Sequence, residues 1–168
     1  MATHRRQSGD RPAPPAEIMP ADSVEDPALR FLLQYWTRLK GARAMPTRAE
    51  ISPKDLRRSL RYIHMYDVVG EGADFRARLV GTSVFPGVEE DQTGRLVSEH
   101  PSAGLRRRFA VMLKHVAATA APARGESRHR RGAELGDLRI ETLWLPLGEG
   151  GRVQHVLAQS SFKTDAPD

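Results

Sequence analysis

Six histidines and a marked surplus of arginine over lysine are the groups in this chain best suited to do chemistry. Imidazoles can ligate a metal or haem iron and move protons near neutral pH. Guanidinium forks can hold phosphate. Cysteine is absent, which excludes disulfides, thiolate metal ligands, cysteine nucleophiles and flavin–thiol photochemistry. Neither G-x-S-x-G, H-E-x-x-H, a phosphate loop nor a dinucleotide glycine pattern occurs. Glu50, Asp55, Asp67 and Glu141 read as ion-pair partners for Arg48, Arg76 and Arg78 rather than as catalytic acids. The expectation is a protein that is not an enzyme and carries no cofactor or metal.

His115 is the histidine of the long helix expected after Pro101, about 100° from the centre of its apolar stripe, where a haem ligand would not point. His64 and His155 lie on different expected strands that could bring them into a structural contact, without the company of a recognisable metal-ligand set. Gly148-Glu149-Gly150-Gly151 joins two expected strands and reads as a hairpin turn, since no helix N-terminus follows it to hold phosphate.

Lys plus Arg total 26 against 21 acidic residues, a net charge of +5. Arg106, Arg107, Arg128, Arg130 and Arg131 form a candidate anion patch, with a solvated basic face as the alternative. No helix-turn-helix, zinc-finger or RNA-binding signature accompanies the arginines, so nucleic acid is not an expected partner. No apolar run reaches bilayer length and no secretory apolar core opens the chain, so a cytoplasmic protein without a membrane partner is expected.

The elements that must position these groups begin after a proline- and arginine-rich stretch. Residues 1–25 lack apolar periodicity and read as a disordered tail. Asp26-Pro27 caps a helix whose stripe is Leu29, Leu32, Leu33, Trp36 and Leu39, and Gly41 ends it. Phe31 and Tyr35 widen that stripe and point to a second partner, another copy of the chain being the simplest. Ser52-Pro53-Lys54-Asp55 starts a short helix expected to run to about Leu60. Tyr62–Val69 and the alternating Phe75, Ala77, Leu79 form a hairpin across Gly70–Ala73. Single-turn helices are expected near Thr82–Phe85 and Gly94–Glu99, then a long helix to about Ala120 with Leu105, Phe109, Met112, Leu113 and Val116 inward. Three strands follow, within Glu126–Gly132, Leu138–Leu147 and Arg152–Phe162, ahead of a C-terminal tail at 164–168. The class is α+β: one antiparallel sheet with helices on one face. Leu143-Trp144-Leu145 is apolar on both faces, so the helix carrying Trp36 must cover the other.

Tyr35-Trp36, the phrase Pro46-Thr47-Arg48-Ala49-Glu50-Ile51-Ser52-Pro53, Asp67, Asp74-Phe75-Arg76, Arg78-Leu79-Val80-Gly81-Thr82, Asp91-Gln92-Thr93-Gly94-Arg95 and Leu145-Pro146-Leu147 resemble, in order and spacing, the stand-alone PAS family typical of alphaproteobacteria. The resemblance spans about Leu29 to Phe162. It implies a domain over residues 26–163, a five-stranded sheet in spatial order 2-1-5-4-3, and a cavity between the sheet and the small helices. This chain departs from the pattern at Phe85-Pro86 and at the basic Ser127–Arg131. The candidate pocket is Phe75, Arg78, Phe85, Thr93, Met112 and Trp144. Trp144 either lines that cavity or packs outward beneath the first helix beside Trp36 and Leu33, the latter being preferred. The candidate cover and dimer helix carries Leu29, Phe31, Leu32, Tyr35 and Trp36. The expected function is a cytoplasmic bacterial signalling sensor or adaptor that works through protein–protein contacts as a homodimer. The alternatives are a small-molecule domain for an anionic or hydrophobic metabolite and, behind it, a nucleic-acid-associated basic protein.

Overall fold

Alternation along five segments, broken by glycine turns, builds most of a six-stranded antiparallel sheet. The computed structural model describes residues 16–84, 91–130 and 136–165. The strands are β1 Glu17–Pro20, β2 Ile63–Val69, β3 Asp74–Val80, β4 Ala123–Arg130, β5 Asp137–Glu149 and β6 Arg152–Thr164, in spatial order β1-β4-β5-β6-β2-β3. Two helices, α1 Pro27–Lys40 and α2 Ala103–Thr119, complete the main layers. The five strands from β2 onward have the expected order. The sixth corrects the sequence reading. Glu17–Pro20 lies within the stretch expected to be disordered, yet pairs with Ala123–Glu126 at the sheet edge. Edge pairing uses main-chain groups, which a side-chain composition argument does not register. Residues 1–15 lie outside the described residues.

Directly paired residues share a face and neighbours along a strand alternate. One face carries Ile63, Met65, Leu143, Leu145 and Leu157, all buried. α1 closes it. Asp26 caps the helix by accepting the Ala28 N–H at 2.8 Å, and Leu29, Leu32, Tyr35 and Trp36 are buried. Each such side chain contributes about 1.5–3 kcal/mol by leaving water. Trp36 Nε1 donates to Pro146 O at 2.8 Å, so the helix is bonded to β5 as well as packed on it.

The helix entry is fixed by charge. Glu141 accepts the N–H of Glu25 at 2.8 Å and of Asp26 at 3.2 Å, and its carboxylate lies 2.8 Å from Arg124 Nε. Arg124 reaches Glu126 at 3.0 Å, and Arg139 reaches both Glu126 and Glu25 at 3.0 Å. Arg124 and Glu126 of β4 are thereby matched inside the fold. Of the other carboxylates, Asp67 pairs with Arg78 at 2.9 Å and Glu50 with Arg43 at 2.6 Å. Asp55 lies 3.5 Å from the Tyr35 hydroxyl.

The helix expected over 52–60 is instead a run of turns ending in a 3-10 turn at Leu60–Tyr62. Its bonds include Asp55 N–H to Ser52 O at 3.1 Å and Ser59 N–H to Leu56 O at 2.8 Å. The start signals are present, but Leu56 is the buried apolar residue between Pro53 and Ser59, too little to seat a helix face. The phrase at 46–50 forms a capping box closing a 3-10 turn at Arg48–Glu50. The small helix expected at Gly94–Glu99 is a 3-10 turn at Val97–Glu99; Thr82–Val84 is a turn, and Phe85 lies outside the described residues.

The turn after β5 is tight. A Cβ on Gly148 would overlap Arg152 O and lie 3.0 Å from Arg152 C. Neither backbone group can withdraw, so Gly148→Ala is expected to cost about 2–4 kcal/mol, read as a lower urea midpoint with unchanged slope.

Candidate functional site

α2 lies over the opposite face of the sheet. Ser102 accepts the Leu105 N–H at 3.4 Å, and Met112, Leu113 and Val116 are buried. Trp144 pairs with Ala158, and Ala158 with His64, so these three share the α2 face, together with Tyr66, Thr142 and Ser160 two positions along. This decides the orientation of Trp144. It turns toward α2 and not, as preferred from sequence, beneath α1 beside Trp36 and Leu33. Apolar residues on both sides of it made the two faces indistinguishable without the register.

His64, Tyr66, Phe109 and Trp144 form one aromatic cluster. Trp144 stands 5.2 Å from His64 and 5.4 Å from Phe109 between ring centres, and Tyr66 lies 6.1 Å from Phe109. A hydrogen-bond chain runs through it: Thr142 Oγ1 to Ser160 Oγ at 2.9 Å, Ser160 Oγ to His64 Nε2 at 3.4 Å, and His64 Nδ1 to Tyr66 Oη at 3.1 Å. Burial lowers the pKa of His64 to about 3 and raises that of Tyr66. Both are neutral at physiological pH, so the chain orients groups and stores no charge there. Sequence reading did not single out this histidine as a core residue. The available signal was its spacing from Tyr66, since residues two apart on a strand share a face.

Beside the cluster lies a cavity of about 30 Å3 lined by Arg108, Phe109, Met112, Gly125, Thr142 and Trp144 among others. That is room for roughly one water. Trp144 is buried, and its Nε1 finds no acceptor among the described residues. Arg108 Nη1 lies 3.5 Å from His129 Nε2. Burial lowers the pKa of both, and the guanidinium lowers that of the histidine further. A small acceptor entering here would meet an indole N–H and a guanidinium.

Of the candidate pocket residues, Met112 and Trp144 line this cavity and Phe75 is buried in the core. Arg78 does not join them. It bonds Asp67, which pairs in register with His155 on the α1 face. Thr93 is exposed in a turn where its N–H donates to Asp91 Oδ1 at 2.9 Å. Nor do the two histidines meet. His64 faces α2, whereas His155 Nδ1 lies 2.7 Å from Asp67 Oδ1 on the other face. His115 is half-buried.

The anion patch does not assemble either. Arg106 and Arg107 are on α2, but Arg128 is opposite Arg139, whose partners Glu25 and Glu126 place it on the α1 face. Period two puts Arg128 on the same face as Arg124, away from α2. Arg106 is further committed to His100 O at 2.6 Å. Arg130 pairs through its backbone with Asp137, and Arg131 lies outside the described residues. No group of three or more metal-ligating side chains gathers among the described residues.

Of the cover helix, Leu29, Leu32, Tyr35 and Trp36 are buried, whereas Phe31 is 52% exposed. Tyr35 is spoken for within the chain: its hydroxyl accepts the Ser52 N–H at 3.0 Å.

A family model described as a PAS domain matches residues 24–158. A solved structure described as that of an RNA-binding light-oxygen-voltage receptor is similar at 18% identity with a TM-score of 0.42. The likeness covers 69% of this chain and 35% of that one. Comparison with curated proteins finds no match.

The buried imidazole makes stability depend on pH in a definite sense. The folded pKa of His64, about 3, lies below its ordinary 6.5, so the unfolded chain binds more protons between those values. The stabilisation is complete above the ordinary value and is lost as pH falls toward 3, at up to about 1.4 kcal/mol per pH unit. His64→Gln removes that titration. Urea unfolding between about pH 6 and 4 should show a shallower loss in the variant than in the wild type; equal slopes would refute it.

Proposed function

This chain belongs to the PAS domain family, and from that premise we propose that it is a sensor or adaptor, not an enzyme, that acts through protein–protein contacts. The contact face is the outer side of α1, and the partner is a second copy, as a homodimer, or another protein. The observation that supports this is the two-sided environment of α1. Leu29, Leu32, Tyr35 and Trp36 are buried, yet the same helix turns Phe31 to solvent. Burial under α1 links that outer side to β5 and β6, so a shift in sheet packing would be felt at the surface.

A small-molecule reading is supported by one feature, the unpartnered Trp144 N–H at the cavity beside Arg108. About 30 Å3 admits nothing beyond a water unless Phe109 or Met112 moves. Retention of a metabolite through native mass spectrometry of the full chain would favour this reading over the contact reading.

The contact reading is tested by placing a photo-crosslinking amino acid at position 31 of the full chain in its own cells. A crosslinked protein species is expected there, and none from the same probe at Val111, an exposed site on α2. A species containing only this chain would mark the homodimer. No crosslink at position 31 would overturn the contact face.

A further inference from the structure

Phe31 is one wall of a groove. Its other lining residues are Ala28, Lys54, Asp55, Leu56, Arg57, Arg58 and Ser59, around a volume of about 520 Å3. The groove exists because Tyr35 draws the 50–55 segment against α1. Its hydroxyl accepts the Ser52 N–H at 3.0 Å and lies 3.5 Å from Glu50 O and Asp55 Oδ2. Leu56 is then buried, which turns its neighbours outward. Lys54, Arg57 and Arg58 are exposed, and none of them takes part in an ion pair or side-chain hydrogen bond among the described residues.

Three cations therefore rim an apolar wall, against the single carboxylate of Asp55, which already faces the Tyr35 hydroxyl. Arg43, Arg78, Arg124 and Arg139, by contrast, each have a carboxylate partner. Lys54, Arg57 and Arg58 lack such a partner among the described residues and stand around an exposed phenylalanine.

We propose that this groove binds an acidic segment of another protein, with an apolar side chain against Phe31 and carboxylates on Lys54, Arg57 and Arg58. The proposal rests on the outer-face reading of α1 and names the chemistry of the partner. A second copy is the poorer occupant. A two-fold contact presents the same patch from both sides, and would bring these cations toward their own counterparts. Duplex or single-stranded nucleic acid would satisfy the charge but leaves the phenylalanine as one isolated ring, where strand-binding surfaces stack successive bases on several.

The test uses the full chain and a fluorescein-labelled peptide of repeated Asp-Glu-Leu, followed by anisotropy. The acidic peptide is expected to bind. The double substitution Arg57→Glu with Arg58→Glu, and separately Phe31→Ser, should each weaken binding by about tenfold or more. Arg107→Glu, an exposed charge change on α2, should leave it unchanged. All four side chains are exposed, so thermal melts of the variants should overlay the wild type. Equal binding of a Lys-Lys-Leu peptide, or indifference to the groove substitutions, overturns the proposal. So does tighter binding of a single-stranded oligonucleotide that the groove substitutions abolish. Failure of the peptide with an intact crosslink from position 31 removes the acidic assignment alone; failure of both removes the contact face as well.

Discussion

β5 is buried on both faces, and the rest of the structure is arranged to meet that demand. From Glu141 to Gly148 every residue is out of water, in a strand that alternates its side chains between two sides. A sheet with one wet face cannot hold such a strand, because half of its apolar surface would remain hydrated. α2 covers one side and α1 the other. The Trp36 bond to Pro146 O and the bond from Gly148 N–H to Pro46 O tie α1 and its following loop to that strand.

Buried charge does the orienting. Glu141, nearly inaccessible at 4% exposure, faces Arg124 at 4%. Neither ion would persist alone at such depth. Together they leave carboxylate oxygens to accept the N–H groups of Glu25 and Asp26, and Asp26 in turn caps α1 and accepts from Ser161 Oγ at 2.6 Å. One ion pair thus sets where the covering helix begins and at what height over the sheet. Arg124 and Glu126 of the charged strand β4 belong to this arrangement.

On the α2 side the interior is filled with rings rather than left hollow. His64, Tyr66, Phe109 and Trp144 pack within about 6 Å of one another, a spacing at which edge and offset contacts are favourable. The threonine–serine–histidine–tyrosine chain satisfies the polar atoms that come with three of those strands. In this packing the ring of Phe31 and the cations beside it are open on the outside, and the Trp144 N–H is left unpartnered within, among the described residues.

Local information determined much of this molecule: α1 with its Asp26 cap, the hairpin of β2 and β3, α2, and the last two strands all follow from periodicity and turn residues within a few positions of one another. The fold class followed from the succession of elements, and the order of five strands from the resemblance to the PAS family. What the tertiary structure alone decided was pairing across long separations. β1 exists because an edge of β4 offers backbone partners more than 100 residues away. Trp144 faces α2, Arg78 leaves the pocket, and the arginines of α2 and β4 part company because register assigns each position to a face. A strand sequence gives the alternation but not its sign when both neighbours are apolar or both are charged. The sign comes from what covers each face, and that is a property of the assembled sheet.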